Sequence, residues 1–153
     1  MVYREASVGK QQGPVEDREQ ARLAFRLRAA FEADPLEDGM YHPAEQIIEK
    51  ALRSRESQRV LAWLRDLSLD AARSGFSAEI LRCLGRQTHP GTSAWRTGLV
   101  RDALAMNDIE IRDAAVQAAE GWGGQDMRRV LRSHSEPEPW LRDCIRDVID
   151  DLE

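Results

Sequence analysis

Apolar residues along most of this chain recur at intervals of three and four positions, the spacing that places them on one face of an α-helix. Eight segments follow this pattern, and no segment shows the two-residue alternation that is typical of a half-buried strand. The segments are short and the connections between them are brief, as in antiparallel helix pairs. The pattern therefore predicts an all-α fold of about eight helices.

Proline, glycine and capping residues indicate where the predicted helices begin and end. Pro14 and Pro43 suit the first turn of a helix, where the missing amide hydrogen has no partner to lose. Ser77 is expected to cap the fourth helix, after a break at Ser74 and Gly75. The predicted helices span residues 14–33, 43–55, 57–73, 77–87, 93–106, 110–121, 125–133 and 139–152.

Several side chains within these helices are expected to face the core. In the first helix the apolar stripe runs through Ala21, Phe25, either Leu27 or Arg28, and Phe31. Cys83 and Cys144 both fall on apolar faces and are interpreted as small core residues, because free cysteine is among the most buried residue types. A disulfide between the two stays open as an alternative.

Two late segments of the chain align without a gap, thirty residues apart. Residues 111–116 (IRDAAV) and 141–146 (LRDCIR) each begin with an apolar residue followed by Arg. A fainter copy covers residues 76–85, where Ser77 stands in place of the Arg. Such repeats predict a stack, because one helix pair cannot bury both of its faces without neighbours.

The segment 107–124 (NDIEIRDAAVQAAEGWGG) resembles the second helix of a HEAT-like repeat. That family shows a loop aspartate, a Val-Arg pair, an Ala pair and an Ala-Leu-Gly ending. In this chain the first of those places are held by Asp108, Ile111, Arg112, Ala114, Ala115 and Ala118. Ala119 and Glu120 depart from the usual Leu and Gly.

The resemblance implies a short right-handed α-solenoid of antiparallel helix pairs. It places Ile111, Ala115 and Leu141 in the buried repeat signature, and it implies that Arg112 and Arg142 tie neighbouring repeats through an acidic partner. The alternative is that each Arg is exposed in a local ion pair, worth under about 1 kcal/mol.

The domain organisation follows from these patterns. Residues 1–13 are polar and without periodicity, and they are expected to form a flexible tail. Residues 14–153 form one helical-repeat domain, with capping helices over 14–56 and about three repeats over 57–153. The last helix is interpreted as a cap, because a terminal repeat needs a polar outer face.

Charge is distributed unevenly along the chain. The net charge is −5, but residues 99–153 hold 13 acids and 7 arginines, a balance of −6, while residues 1–98 carry +1. An overall acidic chain is not a typical general nucleic-acid binder, which has a basic footprint. The acidic end would instead attract a basic partner. The alternative is a solvated acidic surface that keeps the protein soluble.

The expected function is therefore a non-catalytic protein-interaction module with a basic macromolecular partner. One specific version is an immunity or antitoxin-like inhibitor that masks a basic toxin. An exposed Trp140 at a helix start would be a good interface anchor. Outward positions of the late repeat helices complete the expected partner-binding surface: Asp113, Gln117, Glu120, Asp143, Arg146, Asp147 and Asp150.

A second hypothesis is nucleic-acid binding. Some HEAT-like proteins excise alkylated DNA bases, which the resemblance makes possible for this chain if it carries a local basic groove. The residues that could form such a patch are Arg22, Arg26, Arg28, Arg53, Arg55 and Arg59.

Signals for catalysis, metals and cofactors are weak. His42, His89 and His134 lie in or beside predicted loops at wide spacing, and no zinc, phosphate-loop or nucleophile-elbow motif occurs. We expect no catalytic residue, no metal and no cofactor. No signal peptide or membrane-spanning run is recognisable, so a cytoplasmic protein without a membrane partner is expected. The pattern leaves the oligomeric state open.

Overall fold

The computed structural model describes residues 14–152, with side chains from residue 18 onward. The tail predicted over residues 1–13 lies outside the described residues. Within that range the chain forms α-helices and one 3-10 turn, Ala71–Arg73, and no strand. The eight helices are α1 (Pro14–Ala33), α2 (Pro43–Leu52), α3 (Ser57–Ser68), α4 (Ser74–Leu84), α5 (Ser93–Leu104), α6 (Ile109–Trp122), α7 (Gly124–Ser133) and α8 (Pro139–Asp151). The all-helical prediction is confirmed.

The main difference from the predicted boundaries lies between α3 and α4. Ser77 does not cap α4, which already begins at Ser74. Its buried hydroxyl donates instead to the carbonyl of Leu67 at 2.6 Å and accepts from the amide of Asp70 at 3.1 Å. Those two bonds hold the end of α3, and Asp70 in turn accepts from Ala72 N–H at 3.0 Å, which forms the short turn.

Two helix starts are built by side chains that accept backbone hydrogens. At α2, His42 Nδ1 accepts from Ala44 N–H at 3.0 Å, and Glu45 accepts from His42 N–H at 2.8 Å, which completes a capping box. At α6, Asp108 accepts from the amides of Glu110 and Ile111. The loop aspartate of the repeat pattern is therefore an N-cap.

Contacts between helices follow a regular order. Successive helices pack in pairs: α1 with α2, α3 with α4, α5 with α6, and α7 with α8. The odd-numbered helices also contact one another in sequence, from α1 through α3 and α5 to α7. The even-numbered helices do the same from α2 to α8. The described chain is thus two rows of helices that share one core.

The most extensive contact joins α4 to α6, where small residues let the backbones meet. A Cβ atom added to Gly85 would lie 2.6 Å from Ala118 Cα, and one added to Gly121 would lie 2.2 Å from the Gly85 carbonyl oxygen. No side chain fits in either place. The α6 alanines that face this core are fully buried: Ala114, Ala115, Ala118 and Ala119.

Three predicted core positions, Ala21, Phe25 and Cys144, are exposed. Phe25 is 66% exposed, because the buried face of α1 instead follows Leu23, Leu27 and Phe31 at four-residue steps. Cys144 is exposed, since the buried face of α8 centres on its neighbours one and three positions away. Cys83 is buried as predicted, and burial raises the pKa of its thiol to about 12. Both cysteines are free.

None of the helices in the described range is long and apolar enough to cross a membrane.

Candidate interaction surfaces

Arg112 joins α6 to the α7–α8 loop through a buried carboxylate. Arg112 Nε and Nη2 each donate to Glu136 at 3.0 Å, and Glu136 lies in the loop between α7 and α8. Arg112 Nη1 also donates to the carbonyls of Met106 and Asn107. Arg112 therefore holds together the α5–α6 connection, α6 itself and the α7–α8 loop.

The buried carboxylate of Glu136 has further hydrogen-bond partners besides Arg112. His134 Nε2 lies 2.9 Å from one carboxylate oxygen, and the amide of Glu138 donates to the other at 3.0 Å. Burial by itself would raise the pKa of Glu136, but the bonds from Arg112, His134 and Glu138 and the Arg112 charge hold it at about 2. The group therefore stays ionised and structural at neutral pH.

Arg142 acts differently from Arg112. It donates from Nε to the Glu136 carbonyl at 3.0 Å and from Nη2 to the Pro137 carbonyl at 3.1 Å. It caps the backbone of its own loop and makes no carboxylate pair within the described chain. Arg112 pairs with an acid beyond its own helix as expected. Arg142 makes no such pair within the described chain, because its guanidinium donates to the Glu136 and Pro137 carbonyls instead.

The predicted partner-binding residues of α6 are largely occupied by α4. Arg82 donates to Gln117 at 2.9 Å and lies 3.6 Å from the Asp113 carboxylate. Gln117 in turn donates to Asp113 at 3.3 Å. Glu120 remains exposed at the end of this group. Most of the α6 set thus stabilises the α4–α6 contact, and this pairing was not evident from the sequence.

The predicted residues of α8 form an exposed surface. Trp140, Asp143, Asp147 and Asp151 recur at steps of three and four, so they share a sector of about 100° on the helix. Asp150 lies at the edge of that sector. The indole of Trp140 is 48% exposed. We call these five residues the α8 acidic face.

Little within the described chain neutralises the α8 acidic face. Asp143 lies 3.2 Å from Arg146 of the next turn, an exposed pair. The other three aspartates make no ion pair with described residues. A large aromatic ring among exposed carboxylates can contact an apolar group and a cation together.

The predicted basic patch is divided by the structure. Arg28 is half-buried and lies over the Phe76 ring, with 5.4 Å to the ring centroid. Arg53 and Arg59 pair with the acids of their own segments, Glu49 and Glu56. Arg55 is exposed in the α2–α3 connection.

A different basic surface lies on α1. Arg18, Arg22 and Arg26 are exposed at four-residue steps, and none makes an ion pair within the part of the chain that the structure describes. The exposed ring of Phe25 lies beside them. We call these four residues the α1 basic face. The sequence analysis missed Arg18 and misplaced Phe25.

An exposed apolar pair on the α1–α2 loop was also missed. Met40 is 62% and Tyr41 is 64% exposed. Arg86 of the α4 end clamps this loop by donating to the Met40 and Glu37 carbonyls at 2.8 Å each. Tyr41 borders a polar groove of about 530 Å³ between α2 and the α4–α5 connection. The remaining walls of this groove include Glu49, Arg53, Gln58, Thr88 and His89.

The histidines show no catalytic arrangement. His42 is buried in its capping box, and His134 binds Glu136. His89 lies 3.4 Å from Gln87, and burial lowers the pKa of its imidazole. Over residues 14–152, no cluster of three or more His, Cys, Asp or Glu side chains could hold a metal ion.

Compared with protein-family models, with curated proteins and with solved structures, the chain matches none of them.

Proposed function

We propose that this protein is a non-catalytic interaction module that binds a basic protein surface through the α8 acidic face. The observation that carries the proposal is Trp140, which is 48% exposed among four aspartates, of which only Asp143 has an ion pair with a described residue. Tryptophan and arginine dominate the energetics of protein interfaces, so this surface would bind an arginine-bearing partner best. Masking of a basic toxin by an immunity-like protein is one form that such a role could take.

The scaffold in this proposal is a short α-solenoid of HEAT-like repeats. The ordered contacts within each row of helices support it, as does the Arg112–Glu136 tie between the last two pairs. A solenoid suits the function because each added pair extends a rigid surface without changing the core of its neighbours. The clamped Met40–Tyr41 loop offers a second exposed contact on the same scaffold.

Nucleic-acid binding is the second candidate function. The α1 basic face favours it, because its three arginines make no ion pair with described side chains and, with an exposed ring, are suited to phosphates and bases. The face is short, and the chain as a whole is acidic. The measurement that separates the candidates is anisotropy of a labelled duplex, whose affinity should fall steeply with salt if the arginines contact phosphates.

The main proposal is tested with a fluorescein-labelled nona-arginine peptide. Anisotropy titrations at 20 and 300 mM NaCl compare the wild type with Asp147→Lys/Asp150→Lys. The matched control, Glu37→Lys/Asp38→Lys, makes the same change in net charge on the α1–α2 loop. We expect the α8 variant to lose at least about tenfold in affinity and the control to lose under about threefold.

Trp140→Phe and Trp140→Ala complete the series. The phenylalanine variant should keep most of the affinity, and the alanine variant should lose several-fold. If the α8 and control variants lost the same affinity for nona-arginine, the peptide would be binding through net charge alone. The α8 surface would then be rejected as a site.

A further inference from the structure

The α1 basic face and the α8 acidic face carry opposite charges at the same helical spacing. Arg18, Arg22 and Arg26 stand four residues apart, as do Asp143, Asp147 and Asp151. Four residues of α-helix advance about 6 Å, so three cations and three carboxylates recur at one common interval. Each face also presents one exposed aromatic ring.

These two faces cannot meet within one molecule. Helix α1 packs on α2 and α3 at one end of the two rows, while α8 packs on α6 and α7 at the other end. Any contact between the faces must therefore join two molecules.

We propose that α1 of one molecule binds α8 of a second copy of this chain in antiparallel orientation. The pairs are Arg18 with Asp151, Arg22 with Asp147, and Arg26 with Asp143. This inference rests on the proposed function of the α8 acidic face and names a second copy as its basic partner.

The aromatic residues decide the orientation. In the antiparallel register Trp140 faces Ala29, whose small side chain leaves room for the indole, and Phe25 faces Cys144. In a parallel register the same arginines and aspartates would pair in the same order along both helices, beginning with Arg18 and Asp143. Phe25 would then face the carboxylate of Asp150. An apolar ring gains from contact with a thiol and gains nothing from covering a carboxylate.

The contact is weak and sensitive to salt. Exposed ion pairs are individually weak, and 0.5 M salt screens them over a few ångströms. We expect an apparent Kd on the order of 100 µM in 20 mM NaCl, and a monomer in 500 mM NaCl.

Sedimentation velocity from 10 to 500 µM protein tests the contact by charge exchange. Two double variants are compared, Arg22→Asp/Arg26→Asp and Asp143→Arg/Asp147→Arg. Each should be monomeric alone, because both faces are acidic in the first variant and both are basic in the second. When the two variants are mixed at equal concentration they should associate, because the acidic faces of the first variant can bind the basic faces of the second. The matched control for the first variant, Arg101→Asp/Arg132→Asp on α5 and α7, should associate as the wild type does.

Cross-linking tests the register. Cys144 is exposed and Cys83 is buried, so a short bis-maleimide reports on Cys144 alone in the wild type. Phe25→Cys should give intermolecular cross-links to Cys144 at 20 mM NaCl and none at 500 mM. Glu19→Cys, which faces Cys144 only in the parallel register, should give none.

Several results would overturn the inference. They are a wild-type mass that does not change with concentration at low salt, a mixture of exchanged variants that stays monomeric, or cross-links from Glu19→Cys instead of Phe25→Cys. A monomer that binds duplex DNA through the α1 arginines would assign that face to nucleic acid. A monomer that still binds nona-arginine through α8 would refute self-association and leave the proposed function standing, whereas loss of nona-arginine specificity would refute the proposed function.

Discussion

The ionised side chain of Glu136 contributes to the free energy of unfolding of this protein. It is almost fully buried, yet its donors hold its pKa at about 2 rather than the ordinary 4.5. A pKa that is lowered in the folded state contributes stability above the unfolded value, and that contribution is lost as the pH falls toward 2. The difference corresponds to roughly 3 kcal/mol at neutral pH.

Replacing Glu136 with Gln should therefore destabilise the protein by roughly 2–3 kcal/mol at pH 7, because Arg112 keeps its burial and loses its counter-charge. Urea unfolding at several pH values between 7 and 3 measures the effect. The gap between wild type and variant should narrow below about pH 4.5. Glu120→Gln, at an exposed position, is the control and should change stability by under about 0.5 kcal/mol. A gap that stays constant with pH would contradict the assigned ionisation.

The two cysteines differ in their surroundings and should differ in reactivity. Burial keeps Cys83 protonated and covered, whereas Cys144 is exposed on α8. A thiol-reactive dye should modify one thiol per native chain within minutes and both in urea. Cys144→Ser should abolish the fast reaction. Two fast thiols in the native protein would show that the α4 core is open to solvent.

At the scale of elements, the contact of α4 with α6 depends on the absence of two side chains. Gly121→Ala places a methyl group 2.2 Å from the Gly85 carbonyl oxygen, so the helices must separate. We expect a loss of about 1–3 kcal/mol, measured by urea or thermal unfolding.

Gly98 of α5 provides the matched control, because nothing lies within 4 Å of a Cβ atom added there. Gly98→Ala should stabilise the protein by up to about 1 kcal/mol through helix propensity alone. Stabilisation by both substitutions would mean that the α4–α6 contact is looser than described.

At the scale of the whole molecule, the net charge of −5 is distributed unevenly. Over its whole length α1 is neutral, with four arginines and four acids, so its basic character is confined to the exposed face of Arg18, Arg22 and Arg26. Helix α8 holds four aspartates and two arginines, a balance of −2. Helices α1 and α8 pack on different neighbours, so the arginines of the α1 basic face are not among the ion-pair partners of the α8 aspartates within the described chain.

The sequence by itself determined the helices of this protein. Apolar spacing and proline positions are local properties, and they placed all eight helices to within a few residues. The same local rules identified Trp140 as a residue at a helix start, whereas Asp108 was singled out by the resemblance to a repeat pattern. They also located the acidic end, because charge along the chain requires no knowledge of packing.

Only the tertiary structure decided which side chains meet. Arg112 and Glu136 are 24 residues apart, and Gly85 and Gly121 are 36 apart, so no local pattern could join them. The structure also moved Asp113 and Gln117 from a free surface into the α4–α6 contact through Arg82. It exposed Phe25 and Cys144 for a related reason: helical spacing defines a face, but the neighbouring helices decide which face is covered.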